Sequence, residues 1–477
     1  MSDSLPAPHS PPLPETKGVQ FRNLDELLAY ADSMRSAPAD IARLNEFALQ
    51  AADYLRSLPS ENIGPAMKRL AVSLRRWGPQ PAYNLLLRLE VLLGLRRPSV
   101  AIYDHTFQVI GGGQKYGCTI AHSLQDDFAV TLIANRPFSL EDQKRWYGLD
   151  LSRCGTKVVP LPFYEDGRWP AIDPEAAFTR PENPFVPISR ESGNYDIFVN
   201  NSMLEMVCPL ANVSLFVCHF PERRRSAHFY ADRYDHLVHN SLYTAEWIRR
   251  KWKIEPTRHI YPPVDMEPPP GAAAKEKVIL SVARFEVGGT KQQGRMVEAF
   301  RRLRQSHAAE LNGWKLVLAG GSIARNPYLE KITEILAVEP DLPVELKVNI
   351  SADELRRLYA QATIFWHFCG LYQEDPAQVE HFGMTIVEAM QNGCIPLVFD
   401  GGGQREIVVP GISGFRFRDL GEVQALTLRL IRQGELAAAL AARARERGQR
   451  FTRERFVAEV RALFAEIMSA YAPAARS

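Results

Sequence analysis

A chain of 477 residues, 46% apolar and 23% charged, exceeds one ordinary core and can fill two domains of about 150–200 residues each. Its formal net charge of +2 argues against a general nucleic-acid binder. The six cysteines, Cys118, Cys154, Cys208, Cys218, Cys369 and Cys394, form no CxxC pair. That argues against zinc and disulfide frameworks and for a reducing compartment, so a cytoplasmic protein is expected.

The N-terminus, "MSDSLPAPHSPPLPETKG", is proline-rich with no apolar signal core and reads as a disordered tail over residues 1–20. No apolar run reaches the roughly 18 residues that a spanning helix needs. Residues 21–97 form a helical extension, with apolar positions at helical spacing in "LDELLAYADSM", "IARLNEFALQAADYLRSL" and "NLLLRLEVLLGL". The last run has Arg75, Arg76 and Trp77 before it and Arg96 and Arg97 after it. It suits either a helix packed on the next domain or a membrane-surface helix with basic flanks.

From Pro98 the pattern changes to short β-branched and aromatic runs alternating with helical stretches: "SVAIYDHT", "FAVTLIAN", "KVVPLPF", "YDIFVNN", "SLFVCHF" and "HLVHNS". Such alternation predicts a parallel sheet covered on both faces, here over residues 98–265. A proline- and glycine-rich linker follows, "YPPVDMEPPPGAAAKEK". The pattern restarts over residues 276–455 with "VILSVARF", "WKLVLAGG", "PVELKVNI", "ATIFWHF", "CIPLVF" and "GFRF". A final helix over 456–477 is expected to pack back on the first domain. Two doubly wound α/β domains joined by a hinge enclose a cleft, with ligands at the carboxyl ends of the strands.

Three glycine turns stand at strand ends. In "FQVIGGGQKYGCTIAHSL", Gly111, Gly112 and Gly113 let the backbone approach a ligand, and a helix beginning near Gln114 offers amides to an anion. The spacing is not that of a dinucleotide fingerprint, and no Walker lysine is present. In "SVARFEVGGTKQQG", Arg284 and Lys291 flank Gly288 and Gly289, two cations suited to a leaving diphosphate without a metal. Each could equally be an ordinary exposed charge. The third turn is Gly401-Gly402-Gly403 in "CIPLVFDGGGQREIV".

Between the last two lies "VEHFGMTIVEAMQNG". Thr385-Ile-Val-Glu388 fits a capping box, with Thr385 as N-cap and Glu388 at N3. That leaves Glu380, His381, Phe382 and Gly383 ahead of the helix, with Glu380 projecting toward the cleft and Gly383 freeing helix amides for an anion. The preceding "WHFCGLYQEDPAQ" suits a lid on the acceptor side or aromatic packing.

The E-x7-E pattern "EHFGMTIVE", followed by "AMQNGCIPLV" and "GGGQREIV" and preceded by "ARFEVGGTKQQGRMVEAF" and "HNSLYTAEWIRRKW…IYPPVD", resembles the retaining glycosyltransferases of family four, which have the GT-B fold. The likeness runs from about Pro98 to Tyr471. It implies a sugar contact for Glu380 and a ribose contact for Glu388. The amides of Phe382, Gly383, Met384 and Thr385 would face the sugar or diphosphate, Arg284 and Lys291 would clamp the diphosphate, and Gly112 and Gly113 would close over the donor. His219, in "FVCHFPE", would lie by the sugar and acceptor. Gln114-Lys115 departs from the family pattern, in which an acid often follows the glycines.

The expected activity is retaining, metal-independent hexosyl transfer from GDP-mannose or a UDP-sugar to a glycan or lipid-linked acceptor, as in polysaccharide biosynthesis. It needs no cofactor and no nucleic-acid partner, and allows peripheral contact with the inner face of a membrane. Two alternatives share the architecture: a sugar-nucleotide epimerase and a non-catalytic sugar-nucleotide sensor.

Overall fold

The computed structural model describes residues 19–34, 41–161, 182–221, 228–266 and 274–472. Most of the proline-rich stretch read as a disordered tail lies outside them. So do the end of "KVVPLPF" and the middle of the linker.

The first part is a helical module. Leu24–Ser33, Ile41–Arg56, Ser60–Leu74 and Pro79–Leu92 bury one apolar stripe each in a shared core that includes Leu27, Phe47, Leu70, Trp77, Leu85 and Leu89. Trp77 donates its indole N–H to the Ala31 carbonyl at 2.9 Å. Leu85, Leu89 and Leu92 of the "NLLLRLEVLLGL" helix are buried in this core, the module's own rather than that of the next domain. The module is fastened to the next domain by polar contacts. Asn84 donates to the Leu210 carbonyl at 2.8 Å, and Arg96 grips the buried Asp196 carboxylate at 2.6 and 2.9 Å. Tyr471, near the far end of the chain, donates to the same Asp196 at 2.6 Å.

The first sheet has seven parallel strands in the order β3-β2-β1-β4-β5-β6-β7. They are β1 Ser99–Tyr103, β2 Ala129–Ala134, β3 Gly155–Val158, β4 Ile197–Asn200, β5 Val213–Cys218, β6 His236–His239 and the two-residue β7 Arg258–His259. The second sheet has six parallel strands in the order β10-β9-β8-β11-β12-β13. They are β8 Glu276–Val282, β9 Lys315–Gly320, β10 Val344–Val348, β11 Ala362–His367, β12 Ile395–Phe399 and β13 Phe415–Phe417. The central strands are apolar runs buried on both faces, as sheets sandwiched by helices require.

In each sheet the strand order reverses beside the first strand, between β1 and β4 and between β8 and β11. Crevices open at such reversals, outside the carboxyl ends of the strands. The loops that follow β1, β8 and β11 are the ones carrying Gly111–Gly113, Arg284 with Lys291, and Glu380.

The final helix Arg453–Tyr471 returns to the first domain. Phe456, Val460, Leu463, Phe464 and Ile467 enter the first domain's core beside Tyr116 and Leu124. All six cysteines are unpaired thiols. Among the described residues no helix is long and apolar enough to cross a membrane.

Candidate active site

Glu380 sits in the loop between β11 and the helix Met384–Gln391. Its carboxylate accepts from the Lys291 ammonium at 3.0 Å, and His367 Nε2 lies 3.4 Å from the same oxygen. Burial alone would raise the Glu380 pKa, but Lys291 and His367 outweigh it and hold the carboxyl well below its ordinary value. Burial likewise works against the Lys291 charge, yet Glu380 holds that ammonium above its usual range. Both groups are therefore charged at neutral pH, a half-buried pair poised beside the cleft.

His367 was not singled out in the sequence. Its ring Nδ1 meets Gln404 Oε1 at 3.0 Å, and Gln404 in turn donates to the Cys369 carbonyl at 2.9 Å. The available signal was a lone polar residue closing an apolar strand, "ATIFWH". Its neighbours Trp366 and Phe368 are buried and pack on each other at 5.3 Å. That part of the suggested lid is aromatic core.

The capping-box reading of Thr385 and Glu388 is overturned. The N-cap is Gly383, at φ 111° and with no side-chain cap. A Cβ there would stand 2.6 Å from Ile386 Cδ1, so only glycine fits the left-handed turn. Thr385 falls inside the first turn and Glu388 one turn further on. Glu388 accepts instead from the Tyr359 hydroxyl at 2.8 Å. With no capping side chain, the first-turn amides at Met384 and Thr385 have no partner within the helix and carry its positive end. The Phe382 side chain is core, packed on Tyr261 and Phe451 at 5.4 and 5.6 Å, so only its backbone is available to a ligand.

The third glycine turn does not line the cleft in the manner of the other two. Gly403 donates its N–H to the Glu380 carbonyl at 2.9 Å. Side chains at Gly402 and Gly403 would collide with the Glu380 and His381 carbonyls. This turn props the Glu380 loop from beneath.

From the first domain, Gly112 opens the helix Gly112–Leu124, two residues ahead of the expected start. A Cβ on Gly112 would come 2.9 Å from Met384 Sδ, and one on Gly113 would come 3.4 Å from His219 Nε2. The first glycine turn, His219 and the start of the second domain's helix therefore meet. Asn201 pins the turn by donating to the Gly113 carbonyl at 2.9 Å and to Asp104 at 2.7 Å. His219 Nε2 is shielded and has no hydrogen-bond partner among the described residues. Burial pushes its pKa down to about 4, against the pull of Asp104, so the ring is neutral. Lys115, one turn into the helix, has its ammonium pKa lowered by burial although Glu388 and Asp265 act to raise it. It faces the second domain.

Arg284 is not drawn into this cluster. Its side chain is 65% exposed and pairs with Glu286 at 3.1 Å, beside the cleft but apart from Lys291 and Glu380. Further cross-domain contacts hold the mouth together. Phe220 stacks on His381 with centroids 4.0 Å apart. Glu406 accepts from the amides of Leu242 and Tyr243, each at 2.9 Å.

Residues 265–449 match the family model of glycosyl transferases group 1. The GDP-Man:Man(3)GlcNAc(2)-PP-Dol alpha-1,2-mannosyltransferase of Mus musculus is 32% identical over 198 residues, 38% of each chain. The Homo sapiens enzyme of the same name is 32% identical over 197 residues, again 38% of each. The match thus spans well under half the length of these relatives. Among solved structures, Anabaena HepE in complex with UDP-glucose superimposes with a TM-score of 0.58 at 16% identity, covering 77% of this chain and 100% of that one. Sucrose-phosphate synthase from Thermosynechococcus elongatus gives 0.58 at 19% identity, covering 79% and 100%. At such identities the likeness concerns the fold. The fold is GT-B, and residues 265–449 within it are similar to glycosyl transferases group 1.

Proposed function

We propose that the protein is a retaining glycosyltransferase that moves a mannosyl group from GDP-mannose to a hydroxyl of a lipid-linked glycan. The observation that carries this reading is the half-buried Lys291–Glu380 pair together with the turn Gly112–Gly113 and His219 Nε2, which has no partner among the described residues. These are a cation for a diphosphate and two polar groups for sugar hydroxyls, brought together from both domains. The choice of mannose and of a lipid-linked acceptor draws on the mannosyltransferases matched by the second domain.

In this reading Lys291 meets the diphosphate together with the helix amides at Met384 and Thr385. Arg284 swings in from its exposed position to complete the clamp. Glu380 and His219 take sugar hydroxyls, and Glu388 takes the ribose. The bond from the anomeric carbon to the diphosphate oxygen breaks, and the acceptor oxygen bonds to that carbon from the same face. The acceptor proton passes to the departing diphosphate, which serves as the base. Charge building on the leaving group is met by the cations, which is where preorganised electrostatics lowers a barrier most. Neutralisation by Lys291 and Arg284 makes the transfer independent of added metal. A peripheral position at a membrane would bring the lipid-linked acceptor to the cleft.

The test incubates the protein with GDP-mannose or UDP-sugars, with and without a lipid-linked glycan, in excess EDTA. Transfer of mannose to the glycan with the α configuration is expected. Turnover of donor alone into an isomeric sugar nucleotide would make the protein an epimerase. Binding without turnover of any donor would make it a sensor. Loss of transfer in EDTA, restored by magnesium or manganese, would overturn the metal-independent clamp.

A further inference from the structure

A second cavity, of about 390 Å³, lies where the return helix Arg453–Tyr471 leaves the second domain. Its wall combines His259 and Tyr261, from the segment leaving the first sheet, with Arg447 and Arg450 and with Arg455 and Glu459 of the return helix. It therefore stands at the crossover between the two domains; Glu380, Lys291 and His219 do not line it, while Glu406 from the mouth of the cleft does.

Among the described residues its charges and buried polar atoms are incompletely matched. Arg447 spends its donors on the backbone, giving to the Ile407 carbonyl and to the Glu406 carbonyl at 2.6 Å. Arg450 is exposed and has no acceptor among the described residues. Arg455 binds Glu459 through one nitrogen and the Tyr261 carbonyl at 3.0 Å through another, but its Nε is buried with no partner. Of the two carboxylates at the cavity, Glu406 is occupied by the Leu242 and Tyr243 amides. Glu459 keeps one buried oxygen unpartnered. His259 Nε2 is likewise buried and unpartnered, and its ring, flat against His239 at 4.8 Å, stays neutral at physiological pH, with burial pushing its pKa down to about 4. Unmet buried polar atoms are costly and call for a partner. Two guanidinium groups with donors to spare, those of Arg450 and Arg455, suit a phosphate group, and Glu459 can take a neighbouring hydroxyl.

We propose that this cavity is a second ligand site that binds a phosphate group, free or carried on a small hydroxylated phosphomonoester. Arg450 and Arg455 hold the phosphate oxygens, His259 donates to one of them, and Glu459 accepts from the hydroxyl. The site has a short route to the cleft. The Tyr261 ring on its wall packs on Phe382 at 5.4 Å, two residues after Glu380, so occupancy braces the loop that holds Glu380.

The test is calorimetric titration of the full chain with inorganic phosphate and with glycerol 3-phosphate, in wild type, Arg450→Gln and Lys291→Gln. Arg450 is exposed, so its variant should fold. Binding is expected in wild type and in Lys291→Gln, and should weaken about tenfold or more in Arg450→Gln, as loss of a charged hydrogen bond predicts. Glycerol 3-phosphate binding more tightly than phosphate, with that gain lost in Glu459→Gln, would assign the site to a phosphomonoester. Equal affinities would assign it to free phosphate. No binding in wild type, or equal binding in wild type and Arg450→Gln, overturns the proposal. Binding lost in Lys291→Gln but kept in Arg450→Gln also overturns it, because the phosphate then sits at the diphosphate clamp.

Discussion

The Lys291 ammonium and the Glu380 carboxylate, 89 residues apart in the chain, lie 3.0 Å apart in a largely shielded setting. Removing one partner from such a half-buried pair strands a charge that solvent screens only in part, which costs about 1–3 kcal/mol against about 3–5 kcal/mol for a fully buried pair, whereas replacing both by shape-matched groups is often close to neutral. Lys291→Ala is therefore expected to lower stability by about 1–3 kcal/mol and to cut turnover by about a hundredfold or more, the usual penalty for a missing transition-state charge partner. Lys291→Met combined with Glu380→Gln should recover most of the stability and none of the turnover. Urea denaturation and initial rates on the same preparations check both halves. Recovered activity in the double variant would mean that the pair serves the fold alone.

Arg284 offers the opposite case. Exposed and paired only with Glu286, it should be nearly silent in stability, within about 0.5 kcal/mol on changing to alanine. If it closes on the diphosphate, Arg284→Ala still loses about a hundredfold in turnover. Wild-type rates in this variant would leave Lys291 and the helix amides as the whole clamp.

Glu388 separates ribose binding from helix capping, because it holds no cap. Glu388→Gln keeps an acceptor for the Tyr359 hydroxyl, now at 2.8 Å, so stability should hold. Affinity for GDP should fall by about 1–3 kcal/mol, the worth of a charged hydrogen bond. Titration with GDP decides, and unchanged affinity would remove the ribose role. Tyr359→Phe leaves the carboxylate free to meet ribose and should retain most of the nucleotide affinity.

His219 and His381, with His259 of the second cavity, predict an acid-sensitive fold. Burial pushes His219 and His381 down to about 4 from an ordinary 6.5. Between those values the unfolded chain binds more protons than the folded one, so stability rises with pH across this window and is lost as pH falls through it. Glu380 extends the loss below its ordinary 4.5. His381→Phe keeps a ring against Phe220 and removes one titrating group. The slope of unfolding free energy against pH between 4 and 6.5 should flatten in this variant, as measured by denaturant titration at stepped pH. An unchanged slope would mean that His381 titrates as an exposed ring.

Much of the architecture was legible because element type depends on local pattern. Buried parallel strands need apolar runs, and the twelve runs singled out became β1 to β6 and β8 to β13, although β3 is exposed along its length and β10 is half-buried; among the described residues β7, two residues long, was too short to leave a trace. The glycine turns and the paired glutamates were equally visible, since they are adjacent residue types at fixed spacing. What each does was decided by the tertiary structure. Strand order places the loop after β1 at the crevice of the first sheet and the loops after β8 and β11 at that of the second, and no local pattern encodes that order. It brings Lys291 to Glu380 and leaves Arg284 outside. The same order turns Gly402 and Gly403 from an apparent ligand loop into a support beneath Glu380. The capping box failed for a related reason: Gly383, held at positive φ, caps the helix two residues before Thr385, and the Tyr359 hydroxyl is a better-placed partner for Glu388 than its own helix. Sequence spacing names the groups that can meet; which of them meet is set by packing between segments far apart in the chain.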